Sequence, residues 1–285
     1  MDRNRPRTTS RPFLWSILSV MVAIPAMKGS ADADSSRLKS DTGERIARVL
    51  VVTGEDYPGH KWRETTPALV EALSADPRLD VRVMEDPNLL DSPALRRYDT
   101  LILHFMDWEQ PAPGEEARRN LREFVQSGGG LVVVHFACGA FQDWPEFRNL
   151  AGRVWDPALP GHDPFGSFQV EIVDPDHPVT REMSSFETTD ELYTCLTGDL
   201  PVDVLATAKS KVDGKDHLMA FAFQYGQGKV FHSPLGHDAP AFRNPNVAEL
   251  FRRAAAWTAG LDPTAKRNPP ASQEDRENEL EGTAK

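Results

Sequence analysis

The stretch Gly128–His135, which reads Gly-Gly-Gly-Leu-Val-Val-Val-His, decides the fold of this chain. Its four consecutive apolar residues follow a run of glycines, which is typical of a strand buried on both faces of a parallel sheet. The segment before it, Pro113–Ser127, carries Leu121 and Phe124 on one helical face. Proline near its start and glycine after its end are common helix boundaries. The two segments predict a helix that leads into a buried strand.

Further toward the N-terminus, the same patterns recur. Short apolar runs predict strands at Arg48–Thr53, Leu79–Met84 and Thr100–Phe105. Helical spacing of leucine and valine predicts a helix at Glu64–Ala75. The order strand, helix, strand, strand, helix, strand predicts an α/β fold with an open, mostly parallel sheet and helices on both faces.

The C-terminal half is less regular, and it predicts antiparallel additions to that sheet. Strands are expected at Phe168–Val173, Val202–Ala208, His217–Tyr225 and Lys229–His232, with a hairpin-like break at Gly226-Gln-Gly228. A closing helix is expected at Val247–Ala259.

Composition and charge exclude several classes of protein. The chain has 285 residues, 40% of them hydrophobic and 26% charged, which is ordinary for a globular protein. The net charge of −11 argues against a general nucleic-acid binder. Two cysteines are too few for a disulfide-rich scaffold or an all-cysteine zinc site.

The two ends of the chain are predicted to lie outside the fold. Residues 1–33 combine basic residues, a short apolar run and Ala31-Asp-Ala33, which predicts a cleaved signal peptide. An uncleaved N-terminal anchor is the alternative. Export to the periplasm or medium would follow, with no membrane attachment after cleavage. Residues 34–45 are interpreted as a linker, 46–261 as one domain, and 262–285 as a disordered charged tail.

Histidines gather where the predicted strands end. His60, His104, His135, His232 and His237 lie at strand ends or in the loops that follow. Because ligands bind at the carboxyl ends of strands in open parallel sheets, a functional site is expected at this edge.

Two chemistries for this edge remain open from the residues alone. Cys138 follows the Gly128–His135 strand at a sharp turn, where it is either a nucleophile or a small buried residue. Whether it pairs with Cys195 is undecided. A divalent metal such as zinc is the candidate cofactor, with His135, His162 and His237 as candidate ligands, although no local ligand motif is present.

The chain resembles the ThuA-like family, named for trehalose utilisation. The matching pieces run in order along the chain: Gly59-His-Lys-Trp62, Gly128–His135, Gly161-His-Asp163, Asp176–Thr180, Asp190-Glu-Leu-Tyr193 and Tyr225–Asp238. Met219–Phe223 lacks the tryptophan usual at that point in the family.

The resemblance implies a flavodoxin-like, class I glutamine amidotransferase-like fold without that superfamily's Cys-His-Glu triad, so Cys138 is incidental. It also implies a protein of carbohydrate metabolism that handles keto-derivatives of disaccharides, and the predicted signal peptide would make it an exported one. A small-molecule carbohydrate is therefore the expected partner, and the oligomeric state is undecided.

The resemblance and the strand-end pattern together assign site residues. His135, Glu191 and His237 are the expected catalytic residues, with Glu191 moving a proton if burial raises its pKa. Alternatively, Glu191 is a capping or solvated carboxylate, because Thr188–Asp190 looks like a helix start. The expected substrate-binding residues are His60, Trp62, Asp107, Trp108, His162 and Asp238.

The working hypothesis is an enzyme that hydrolyses, eliminates or isomerises a keto-sugar or glycoside. A non-catalytic carbohydrate-binding or sensing protein with the same pocket is the first alternative. An amidase or transferase that uses Cys138 is the second.

Overall fold

A computed structural model of the protein describes residues 45–265. The predicted signal peptide, the linker up to residue 44 and the tail beyond residue 265 lie outside the described residues and stay predictions. Among the helices of the described part, none combines the length and the apolar character that a membrane crossing requires.

Eleven strands are described. They are β1 (Ala47–Val52), β2 (Leu79–Met84), β3 (Thr100–Leu103), β4 (Gly130–Val134), β5 (Val154–Trp155), β6 (Gly166–Ile172), β7 (Phe186–Asp190), β8 (Leu196–Thr197), β9 (Asp203–Lys209), β10 (Asp216–Tyr225) and β11 (Gly228–Ser233). Nine of them form one sheet in the order β2-β1-β3-β4-β11-β10-β9-β6-β7, while β5 and β8 pair separately.

The sheet has a parallel half and an antiparallel half. The five strands from β2 to β11 in that order are parallel to one another. From β11 onward each neighbour is antiparallel, as predicted for the C-terminal half. Four reversals separate β11 from β7, so β7 again points in the direction of the parallel strands. The carboxyl ends of β1, β3, β4, β11 and β7 therefore face the same edge.

Helices cover both faces of the sheet, which confirms the predicted α/β architecture. The helices are α1 (Trp62–Ser74), α2 (Glu115–Gln126), α3 (Phe147–Ala151), α4 (Ala239–Arg243) and α5 (Pro245–Thr258), and three short 3₁₀ turns lie at Pro87–Asp91, Pro93–Arg97 and His135–Gly139. Helices α1 and α5 contribute to one hydrophobic cluster, and α2 and α3 to the other.

Strand β4 joins the two clusters because its side chains alternate between the faces. Val132 and Val134 pack on the side of α1 and α5, while Leu131 and Val133 pack on the side of α2. All four are fully buried, which explains the unbroken apolar run in the sequence. Burial of each such side chain contributes roughly 2 kcal/mol.

The predicted helix start at Thr188–Asp190 is wrong, because this segment is the second half of β7. Phe186, Thr188 and Asp190 point inward and are buried, while the residues between them are exposed. Two of the three inward residues are polar, so the segment has no apolar alternation that would have predicted a strand. Glu191 is consequently not a helix-capping carboxylate: it follows a strand that ends at the same edge as the histidine-bearing loops.

Candidate functional site

A cleft of about 420 Å³ opens at this edge of the sheet. Its walls come from the loops after β1, β3, β4, β7 and β11, which contribute His60, Met106, Phe136, Glu191 and His237 respectively. The remaining lining residues are Tyr57, Gly59, Trp108, Trp155, His162 and Tyr193. Five of the predicted site residues thus line the cleft from loops that are far apart in the sequence: His60, Trp108, His162, Glu191 and His237.

His135 lies behind the cleft-lining His60, at the point where β4 turns into a 3₁₀ turn. Its backbone φ is +48°, an uncommon conformation for a non-glycine residue, and its side chain is fully buried. Nδ1 donates a hydrogen bond to the carbonyl oxygen of Pro234 at 2.6 Å, which leaves Nε2 with a lone pair. The Tyr193 hydroxyl lies 3.0 Å from that Nε2 and donates to it. Burial lowers the pKa of His135 well below its usual value, so the ring is neutral.

His60 stacks on the ring of Phe136 with a centroid distance of 4.5 Å. Its ring centroid is 5.0 Å from that of His135 and 5.4 Å from that of His237. Burial lowers the pKa of His60 to about 4, and its buried Nδ1 has no hydrogen-bond partner among the described residues. Three imidazoles therefore face one another in the cleft.

The Glu191 carboxylate is surrounded by histidines. Its Oε2 atom lies 3.1 Å from Nδ1 of His237 and 3.7 Å from Nε2 of His135, and its Oε1 atom lies 3.5 Å from Nε2 of His162. Burial alone would raise the pKa of Glu191, but the neighbouring histidines outweigh it and lower the pKa. The expectation of a raised pKa is wrong in direction, and the group is an ionised carboxylate near neutral pH. The same contact with Glu191 raises the pKa of His237 against the effect of burial.

The buried carboxylate of Asp190 fixes the two loops that carry these groups. It accepts hydrogen bonds from the backbone N–H groups of Glu191, Gly236 and His237 at 2.8, 2.7 and 3.1 Å. Burial raises its pKa to about 7. Gly236 has φ +111°, and a β-carbon there would lie 2.4 Å from the Phe242 ring, so only glycine permits this loop path. Sequence reasoning did not select Asp190 as a site residue.

Other residues that the sequence singled out have structural partners. The Trp62 indole donates to Asp56 at 2.8 Å, outside the His60–His237 cleft. Asp238 accepts from the Ala241 N–H and caps α4. His162 lines the cleft, and its Nδ1 donates to the carbonyl of Asp163. The structure therefore brings His162, but not Trp62, to the three imidazoles.

A second cavity of about 520 Å³ adjoins the cleft. Trp108 and Trp155 line both spaces, with ring centroids 5.5 Å apart. Trp108 donates from its indole to the carbonyl of Gly139 at 2.8 Å. The second cavity is also lined by Asp107, Gln142, Asp143 and Leu159. Half-exposed tryptophans with nearby polar side chains are suited to bind a sugar ring.

Two of the strand-end histidines do not reach the cleft. His104 is buried on the far side of Phe136, with Nδ1 3.1 Å from the Thr66 hydroxyl. His232 is buried within β11, where Nδ1 donates to the carbonyl of Ala151 at 2.9 Å. Both imidazoles are therefore buried side chains whose hydrogen-bonding contacts lie inside the fold.

The cysteines also lie in the interior. Cys138 and Cys195 are buried free thiols that do not pair with each other. Burial raises the pKa of Cys138 well above its usual value, so the thiol stays protonated. The geometry therefore gives no support to Cys138 as a nucleophile.

Tyr193, Phe136 and Trp155 are cleft residues that sequence reasoning did not assign. Tyr193 follows Glu191 by two positions, so in extended chain both side chains point to the same side. That spacing is the available signal for Tyr193. Trp155 lies in a two-residue strand with no periodicity to reveal it.

Comparisons with known proteins agree with this architecture. A solved ThuA-like protein from Parabacteroides merdae is 26% identical, with a TM-score of 0.68 over 79% of this chain and 94% of that one. A ThuA-like protein from Bacteroides uniformis is 19% identical, with a TM-score of 0.60 over 76% and 94%. A β-galactosidase from Rahnella shares the fold over 75% of this chain and 32% of its own, at 16% identity and a TM-score of 0.53.

The search of curated proteins gave no match. The family model described as ThuA, trehalose utilisation, matches residues 48–258, which include every strand from β2 to β11 and every helix. The chain belongs to the ThuA family.

Proposed function

We propose that this ThuA-family protein is an enzyme that removes a proton beside the carbonyl group of a keto-sugar or keto-glycoside. The observation that carries the proposal is the position of Glu191. An ionised carboxylate lies within 3.7 Å of ring nitrogens of His135, His162 and His237, in a cleft open to small molecules. A carboxylate in such a place is a suitable general base.

The chemistry follows from the acidity of a C–H group next to a carbonyl. Glu191 takes that proton, and the electron pair moves into a carbon–carbon double bond with charge on the carbonyl oxygen. His237, whose pKa is raised beside Glu191, would donate a hydrogen bond to this oxygen. Return of the proton to the former carbonyl carbon, together with transfer of the neighbouring hydroxyl's proton to the former carbonyl oxygen, gives isomerisation. In a keto-glycoside, the glycosidic C–O bond on the carbon next to the deprotonated carbon breaks instead. The departing oxygen takes the proton from Glu191.

A glycoside is favoured over a free monosaccharide because the cleft has a neighbour. The cavity beside Trp108 and Trp155 is as large as the cleft itself and has room for a second ring. Its apolar indole faces and the Gln142 and Asp143 side chains fit the C–H and O–H groups of a sugar.

Incubation with keto-trehalose and keto-cellobiose, followed by mass spectrometry, tests the proposal. Glu191→Gln removes the base without changing its size, and turnover should fall by about 10²-fold to 10⁴-fold. Glu187→Gln is the matched control, because Glu187 is an exposed carboxylate on the same strand, β7. Wild-type turnover in Glu191→Gln would contradict the assignment. Binding of both sugars without turnover would instead support the non-catalytic alternative.

A further inference from the structure

Three histidine side chains in the cleft are arranged as a metal centre. One ring nitrogen from each of His60, His135 and His237 lies within 4.8 Å of the other two. The three residues come from the loops after β1, β4 and β11. This set differs from the candidate set His135, His162 and His237, because His60 takes the place of His162.

Two of the three rings have a nitrogen without a hydrogen-bond partner among the described residues, while Nε2 of His135 accepts from the Tyr193 hydroxyl. The Nδ1–H of His135 is held by the Pro234 carbonyl, which makes Nε2 the nitrogen with the lone pair. Metal-ligating histidines commonly have their other nitrogen fixed by a carbonyl in this way. The buried Nδ1 atoms of His60 and His237 have no hydrogen-bond partner among residues 45–265. An unpaired buried polar atom such as Nδ1 of His60 is costly, and a bound ion would pair it. Nδ1 of His237 has only its ion-pair contact with Glu191.

The position of Glu191 gives the same indication. Its Oε2 atom and Nδ1 of His237 are 3.1 Å apart, yet they are not aligned as a hydrogen bond. An ionised carboxylate so close to the three rings would stabilise a cation bound by them.

We propose that His60, His135 and His237 bind one divalent transition-metal ion, with Zn²⁺ as the first candidate. Three neutral imidazoles suit zinc and its neighbours rather than Mg²⁺ or Ca²⁺, which prefer oxygen ligands. Three protein ligands leave a fourth position for water or a substrate oxygen, as in catalytic rather than structural zinc sites. Glu191 lies beside His135 and His237, and the ion would take over from His237 the stabilisation of a substrate oxygen.

One contact must change when the ion binds. The Tyr193 hydroxyl donates to Nε2 of His135 at 3.0 Å, and an ion on that nitrogen displaces this proton. Tyr193→Phe removes the competitor and keeps the ring. The variant should therefore bind the ion at least as tightly as the wild type.

Calorimetry on the chelator-stripped protein, titrated with zinc chloride, tests the site. We expect one ion per chain with a Kd of about 1 µM or tighter. His60→Ala and His237→Ala should each raise the Kd by tenfold or more, about the scale known for lost metal-site partners. His217→Ala is the control, because His217 lies on β10 and its Nε2 faces Asp213. Circular dichroism confirms that each variant is folded.

Two results would overturn the site: no saturable binding by the wild-type protein, or wild-type affinity in both His60→Ala and His237→Ala. The proposed metal site lies at the same cleft as the proposed active site, but metal binding does not require turnover. Zinc binding without turnover would uphold the metal centre and reject the proposed function. Turnover unaffected by chelation, with no zinc bound, would do the reverse.

Discussion

The carboxylate of Asp190 accepts a hydrogen bond from the backbone N–H of Gly236 at 2.7 Å and thereby ties the end of β7 to the loop after β11. These residues are 46 positions apart in the sequence. The same carboxylate holds the N–H groups of Glu191 and His237, whose side chains meet 3.1 Å apart. The distance between base and imidazole is thus set by a third residue that lines no wall of the cleft.

Asp190→Asn should therefore impair the site without touching the substrate. An amide keeps one acceptor oxygen and turns the other into a donor, which leaves at least one of the three N–H groups unpaired. A buried unpaired group costs about 1–3 kcal/mol, and we expect kcat to fall by about tenfold or more while KM changes less. Asp216→Asn, at the exposed start of β10, is the matched control. An unchanged kcat in Asp190→Asn would show that this carboxylate does not position the loops.

The sequence predicted the fold because the parallel strands are buried on both faces. The runs at Val49–Val52 and Leu131–Val134 are apolar throughout, and such runs fit few other structures. Strand β7 escaped prediction because two of its inward side chains, Thr188 and Asp190, are polar. Their burial depends on partners in distant loops, and no local pattern records such partners.

The candidate site was predictable only in part, for a related reason. Topology brings the loops after the parallel strands to one edge, and this predicted a site that draws on the strand-end histidines. It does not say which way a side chain turns. His104 and His232 occupy equivalent strand-end positions, but their rings point into the interior.

Trp108 is expected to bind the part of a glycoside that does not react. Removal of its indole in Trp108→Ala takes away a face shared by the cleft and the second cavity. The loss of about 1 kcal/mol of aromatic contact would raise KM for a keto-disaccharide by roughly fivefold to tenfold, with little change in kcat. A small methyl keto-glycoside that does not fill the second cavity is the control substrate, and its KM should rise less, because it loses only the part of the indole face that lines the cleft. Equal KM changes for both substrates would argue against a second sugar-binding position.

The thiols should be inert in the folded protein. Cys138 and Cys195 are buried, and burial raises the pKa of Cys195 to about 12 and that of Cys138 well above its usual value. A thiol reagent should therefore label neither residue in the native state and both after denaturation. Cys138→Ala should retain activity toward the keto-glycoside. A large loss of turnover in a folded Cys138→Ala variant would revive the cysteine nucleophile.

The buried histidines predict a loss of stability in mild acid. Burial lowers the pKa of His104 to about 3 and that of His232 to about 4. In the unfolded chain both rings have a pKa of about 6.5. Above that pH neither state binds a proton, so the stability is fully present. As the pH falls below about 6.5, these histidines bind protons in the unfolded chain but stay neutral in the folded chain. Each histidine therefore lowers the free energy of unfolding by about 1.4 kcal/mol per pH unit. The loss continues down to the folded pKa.

His232→Phe separates this effect from general acid sensitivity. Phenylalanine keeps the ring beside Phe221 but lacks the hydrogen bond to the Ala151 carbonyl, which should cost about 1 kcal/mol or more near pH 7.5. Phenylalanine does not titrate, so the free energy of unfolding of the variant should fall by about 2 kcal/mol less than that of the wild type between about pH 6.5 and pH 5. Urea unfolding of both proteins at the two pH values, in the presence of a chelator, measures the difference. The stability gap should close or reverse in acid, and parallel pH profiles for the two proteins would mean that His232 is not neutral in the fold.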